Sequence, residues 1–279
     1  MNASLWQVSR RLGKPILEVA LPRAERLTGF RTAAGDYLPN RLRMFIGSYE
    51  AEELGLMRRF LWTGQTIIDA GANIGYTARF FAGAVGETGK VYAFEPNPVI
   101  FPSRTKRRGE RTSKDLQTRS LFPNRIDLFL AGNNHSVASF SEEYPAMHLA
   151  YRKDETVRSV RVKVVPGDEF VRAEGINHVD AIKLDVEGWE LHALAGFEKT
   201  IAKSPGISLF CEFSPPAQRC AGHRHRDLLD WLWDHKFTIS YPKDGCLRPV
   251  SPDSIDQFIA EVISRDYVTI FATRRDAIS

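Results

Sequence analysis

Apolar positions along the chain fall into two rhythms. Leu54, Met57 and Leu61 recur at helical spacing and Gly64 follows as a stop, which predicts an amphipathic helix over residues 50 to 62. Thr66-Ile67-Ile68-Asp69-Ala70 is a short β-branched run that ends on an acid. A helix is expected from about Ile74, with Ala78, Phe81 and Val85 on one face and Asn73 placed to cap it. Val91-Tyr92-Ala93-Phe94-Glu95 repeats the strand-then-acid pattern and closes on Pro96. Strand, helix, strand is the unit that builds parallel sheet.

The pattern fails over residues 102 to 125 and then returns. Strands are expected at 126–130 and 136–140, as a hairpin, and at 160–165. Regular alternation follows: strands at 179–184, 207–213, 237–241 and 267–273, helices at 187–201, 226–235 and 254–264. The order predicts an α/β domain over residues 46 to 279. Residues 1 to 45 read as a polar, helical extension.

Composition adds limits. A chain of 279 residues suffices for one large α/β domain with a small extension. Apolar residues at 43% and charged residues at 26% are ordinary for a globular protein. Cys211, Cys220 and Cys246 form no Cys-x-x-Cys pair, which supports neither a disulfide framework nor a zinc knuckle and suits reduced thiols in a cytoplasm. Cys211 lies in an apolar run and is expected in the core. The N-terminal apolar stretch, Ile16 to Leu21, is short and holds Glu18, so neither a signal peptide nor a membrane span is expected. The net charge of +4 is local: residues 102 to 125 carry eight Lys or Arg against Glu110 and Asp115, so the remainder is acidic by two.

Ligands of an open α/β sheet bind beyond the carboxyl ends of its strands. Asp69 and Glu95 are expected at two such ends. Gly71 lets the intervening loop turn tightly, and Gly75 is expected to allow close packing in the first helical turn. Free N–H groups at that helix start favour an anionic group. A carboxylate at the next strand end suits paired ribose hydroxyls. Asp-x-Gly-x-Asn-x-Gly followed by Glu95 therefore describes an adenosine site. The dinucleotide pattern Gly-x-Gly-x-x-Gly is absent, which disfavours a nicotinamide enzyme.

Ile67 to Tyr76, Val91 to Pro98 and Ile182-Lys183-Leu184-Asp185-Val186-Glu187-Gly188-Trp189-Glu190, three blocks in order, resemble the FkbM family of S-adenosylmethionine-dependent methyltransferases. The resemblance implies a Rossmann-like class I methyltransferase fold: a mostly parallel seven-stranded sheet with an antiparallel last strand and helices on both faces. It implies S-adenosyl-L-methionine as methyl donor and a hydroxyl on a sugar or other small metabolite as acceptor. It implies that Asp69, Gly71, Asn73 and Gly75 line the methionine side of the donor and Glu95 the ribose. Residues 102 to 125 depart from the family's pattern. They read either as a basic, poorly ordered insertion or as a stretch translated from a shifted frame, and the abrupt loss and return of family-like sequence favours the second.

Removing a proton from an alcohol calls for a base or a metal near the donor sulfur. Asp185, Glu187 and Glu212, at or after strand ends, are the catalytic candidates. Asp185 with Glu187 is also the pair that a divalent cation would use. Glu187 and Glu190 can instead serve the positive end of the following helix. Lys183 reads as half of an ion pair. His135, in the turn at 132–136, is a lesser candidate base, and His192, His223 and His225 are expected to face solvent. Two other functions stay open: a catalytically impaired relative that keeps the fold, and a nucleic-acid methyltransferase or binder using the run at 104–125. That run lacks the interleaved aromatics that base stacking needs.

Overall fold

The computed structural model describes residues 20–21, 38–98, 100, 124–131, 134–149 and 156–274. Most of the N-terminal extension and of the basic stretch therefore lies outside the described residues. Helix α1 (Leu38–Phe45) leads to α2 (Ala51–Met57), a 3₁₀ turn at Arg58–Phe60, β1 (Thr66–Ala70), α3 (Tyr76–Val85) and β2 (Lys90–Phe94). After the gap come β3 (Asn124–Ala131), β4 (Asn134–Ser139), α4 (Glu143–Leu149), β5 (Val157–Val164) and α5 (Gly167–Ala173). The last part holds β6 (Ala181–Leu184), α6 (Glu190–Gly196), α7 (Glu198–Lys203), β7 (Ser208–Phe213), α8 (Pro215–Cys220) and α9 (Asp227–Asp234). It closes with β8 (Thr238–Lys243), β9 (Cys246–Val250), a 3₁₀ turn at Pro252–Ser254, α10 (Ile255–Ile263) and β10 (Val268–Thr273).

Seven strands form the main sheet in the order β2-β1-β6-β7-β10-β8-β9. β2, β1, β6 and β7 pair in parallel, and β10 runs antiparallel to both β7 and β8. The seventh strand is β9, a hairpin partner of β8. β3, β4 and β5 form a separate antiparallel sheet, where the expected hairpin and the strand at 160–165 are found.

Strands buried on both faces read as unbroken apolar runs, and β1 shows why. Ile67 faces Leu56, Met57, Phe81, Val85, Phe210 and Phe271. Its neighbour Ile68 faces the opposite core, with Phe170, Phe197, Leu209 and Leu228. Both isoleucines are wholly buried, each worth about 1.5–3 kcal/mol of transfer free energy. Cys211 is a core residue of the second face, as expected.

Three local expectations are corrected. The helix expected from Ile74 begins at Tyr76, and its cap is Gly75 rather than Asn73. Asn73 has φ 49°, and its side chain makes no cap hydrogen bond. Gly75 does not serve close packing, since a Cβ there would meet nothing within 4 Å; its φ of +83° is what requires glycine. The helix expected at 187–201 is two short ones broken at Phe197, whose ring occupies the space beside Gly167.

Candidate functional site

Strand register sets the chemistry of the carboxyl edge. On the sheet face covered by α2 and α3, Asp69 pairs with Lys183, and Lys183 with Phe210. Two positions further along β7, Glu212 lies opposite Thr269 of β10. That face is therefore apolar near Ile67, Ala181 and Phe271, and polar where the parallel strands end.

Asp69 is fully buried, and neither carboxylate oxygen has a hydrogen-bond partner among the described residues. Lys183 Nζ lies 3.9 Å from Asp69 Oδ1 and 2.9 Å from Asp185 Oδ2. Burial pushes the Asp69 carboxyl up to about 6, against the pull of Lys183 and with a further push from Asp185. Burial alone would lower the Lys183 ammonium, but Asp185, Asp69 and Glu50 together raise it. The expected ion pair is thus a bridge between two strand ends.

The loop after β1 is built around Gly71, at φ +85°. A Cβ there would overlap the backbone carbonyl of Asp185, so β1 and β6 can lie this close only with glycine. Four of the loop amides are already used. Gly71 and Ala72 N–H both donate to the Phe94 carbonyl at 2.9 Å, and Gly75 N–H to Ala72 at 2.8 Å. Asn73 N–H donates to Glu95 Oε2 at 2.8 Å, and Asn97 N–H to Glu95 Oε1 at 2.7 Å. The N–H groups of Gly71, Ala72, Asn73 and Gly75 are thus not among the free amides expected at the helix start. What the loop leaves open are acceptors: Asp69, Asn73 Oδ1, and the second lone pairs of Glu95. Burial pushes Glu95 up to about 7, with the two amides pulling it down and Asp185 and Asp69 pushing it further up.

Asp185, Glu187 and Glu212 come together at this edge. Burial holds Glu187 and Glu212 well above the usual carboxylate range, and Asp185 raises both further. Glu187 is not on the helix with Glu190. It sits in a turn at φ 52°, with its carbonyl taken by Ser139 Oγ at 3.0 Å. Glu190 turns back instead, and its Oε1 accepts from Val186 N–H at 3.0 Å and Gly188 N–H at 3.2 Å. Burial pushes it up to about 7.

The structure adds residues that sequence reasoning passed over. Glu50 and Glu53, at the start of α2, lie close enough for both to feel Lys183 and Asp185. Glu53 Oε2 accepts from Thr269 Oγ1 at 3.2 Å. Tyr267, just before β10, feels Glu212, Glu50, Glu53 and Asp185, and burial raises its hydroxyl. Acids in the first turn of a helix read as dipole partners, and Tyr267 read as the first residue of the last strand, so neither pointed to the site.

The histidine expectations change. His192 Nδ1 lies 3.1 Å from His223 Nε2, and its ring stacks on Trp189 with centroids 4.3 Å apart; both histidines are half-buried. Residues 132 and 133 and the His135 side chain lie outside what is described. Among the described residues no three His, Cys, Asp or Glu side chains converge to hold a metal ion, so the divalent-cation reading of Asp185 and Glu187 finds no such group. Nor is any helix there long and apolar enough to cross a membrane.

The family model described as the methyltransferase FkbM domain matches residues 69–239. The chain belongs to the FkbM methyltransferase family. The matched span takes in Asp69 through Glu212, so this FkbM domain includes every candidate residue proposed from sequence. The chain is 29% identical over 133 residues to the hexuronic acid methyltransferase AglP of Haloferax volcanii, covering 48% of this chain and 50% of that protein. The chain therefore spans about half the length of the curated relative it matches. Among solved structures, a SAM-dependent O-methyltransferase from Thermotoga maritima is similar at 18% identity, with 80% of this chain and 64% of that one covered and a TM-score of 0.36. A precorrin-6y C5,15-methyltransferase from Geobacter metallireducens is similar at 10% identity, over 81% and 87%, with a TM-score of 0.37. The α/β fold follows from strand order and register.

Proposed function

We propose that this FkbM domain uses S-adenosylmethionine to methylate a hydroxyl on a sugar or other small metabolite. The Asp69 carboxylate carries the reading. A buried acceptor left without donors costs about 1–3 kcal/mol, and here both oxygens of one carboxylate are left so at a strand end. The residues fit the donor: Asp69 and Asn73 Oδ1 offer acceptors to an ammonium group, and Glu95 keeps lone pairs for ribose hydroxyls. Gly71 and Gly75 shape the loop between them.

When bound, S-adenosylmethionine supplies a methyl group on a sulfonium, open to in-line attack. The surrounding carboxylates favour a cation over the neutral product, which promotes release after transfer. Glu187 and Glu212, gathered with Asp185 at this edge, are the carboxyl groups placed to take the proton of the acceptor hydroxyl in their ionised forms. Asp185, fixed by Lys183, orients the acceptor between them.

Calorimetric titration with S-adenosylmethionine tests this. The wild-type chain is expected to bind, with Asp69→Asn and Glu95→Gln each weakening affinity by about tenfold or more. No heat and no thermal shift at millimolar donor would overturn the proposal and favour an impaired relative.

A further inference from the structure

A cavity of about 810 Å³ opens beside the acidic edge, lined by Glu52, Glu53, Lys243, Asp244, Arg265 and Tyr267 among others. Its size lies within the roughly 300–1,000 Å³ typical of ligand pockets. Topology explains its position. β10 runs antiparallel to β7, so its start comes to the edge where the parallel strands end, with Val268 opposite Phe213 and Thr269 opposite Glu212. β8 ends at the same edge, and its hairpin turn at Asp244 and Gly245 forms the far wall. The first turn of α2 forms the third side, where Glu52 accepts from Gly245 N–H at 3.0 Å. Glu53 and Tyr267 line the cavity and also feel Asp185, so the cavity adjoins the group-transfer site.

We infer that this cavity binds the remote part of the methyl acceptor, and that this part is a sugar ring without a carboxylate. The inference rests on the reading proposed above. Tyr267 is 47% exposed although it borders a buried cluster, so a ring face is available. The negative face of an aromatic ring attracts the positively polarised C–H edge of a sugar. Around it stand carboxylates that accept from hydroxyls and cations that donate to them. The two cations are committed to one acid: Glu261 takes Lys243 Nζ at 2.7 Å and Arg265 at 2.8 Å. Glu52, Glu53 and Asp244 then give the lining an acidic balance. A carboxylate-bearing ring would meet like charge in a partly desolvated space, which selects against it. This separates the chain from its Haloferax relative, whose name specifies a hexuronic acid.

Ligand-observed NMR tests the inference with the methyl glycosides of glucose, galactose and mannose, set against methyl glucuronide and methyl galacturonide. At least one neutral glycoside is expected to bind, with the strongest saturation transfer at its ring C–H protons. Tyr267→Ala is expected to weaken it by about tenfold or more, while Tyr267→Phe, which keeps the ring, retains affinity. Parallel titration with S-adenosylmethionine shows that each variant is folded and reads the donor site separately. If donor binds but no neutral glycoside does, if the uronides bind as tightly, or if Tyr267→Ala changes nothing, the inference fails and the donor reading stands. If the wild-type chain binds no donor, it is the earlier proposal that fails.

Discussion

Lys183 is the one cation that the described structure buries among Asp69, Asp185 and Glu50. Removing one partner of a buried charge set leaves the others uncompensated, typically at about 3–5 kcal/mol. Lys183→Met is therefore expected to lower stability by about that amount in urea denaturation. Gly71→Ala is expected to cost at least as much, because a methyl group there meets the Asp185 backbone and the φ of +85° is itself strained. These residues were legible in different degrees. Lys183 announced itself as a charge inside an apolar run, and Asp69 and Glu95 as acids closing such runs. Glu50, Glu53 and Tyr267 did not, because only the packing of α2 on the sheet and the pairing of β10 with β7 bring them to Asp185.

The connection from β6 to α6 is organised by a side chain rather than by a helix. Glu190 Oε1 gathers the amides of Val186 and Gly188, closing a turn that holds Glu187 in place. Glu190→Ala is expected to speed hydrogen exchange at those two amides and to cost about 1–2 kcal/mol. Glu190→Gln, which keeps an acceptor, should leave exchange nearly unchanged. The main strands were readable because both their faces are buried, which makes them continuous apolar runs. β9 was not: Cys246-Leu247-Arg248-Pro249-Val250 is an edge strand with a proline and little apolar periodicity. Helix starts were misjudged by two or three residues because Gly75 and Glu187 adopt left-handed backbone, which spacing cannot reveal.

Across the molecule, buried acids set an unusual response to pH. Glu50, Glu95 and Glu190 are held near 7 and Asp69 near 6, against ordinary values of 4.5 and 3.8. Folding therefore favours their protonated forms. Their contribution is fully present below the ordinary values and is lost as pH rises through about 6 to 7. His148 and His192, lowered by burial, oppose this on the acid side, but the raised carboxyls, Glu187 and Glu212 among them, outnumber them. The donor-free chain is expected to melt about 3 °C or more higher at pH 5.5 than at pH 8 by calorimetry, with saturating donor narrowing the gap. The sheet's connectivity has a consequence for biogenesis. β10 follows the other described strands in sequence yet lies in the interior of the sheet, joining the β8–β9 hairpin to β7. Until it docks, β7 and the β8–β9 hairpin each present an open strand edge, the kind of surface that invites wrong pairing and that a chaperone would have to shield.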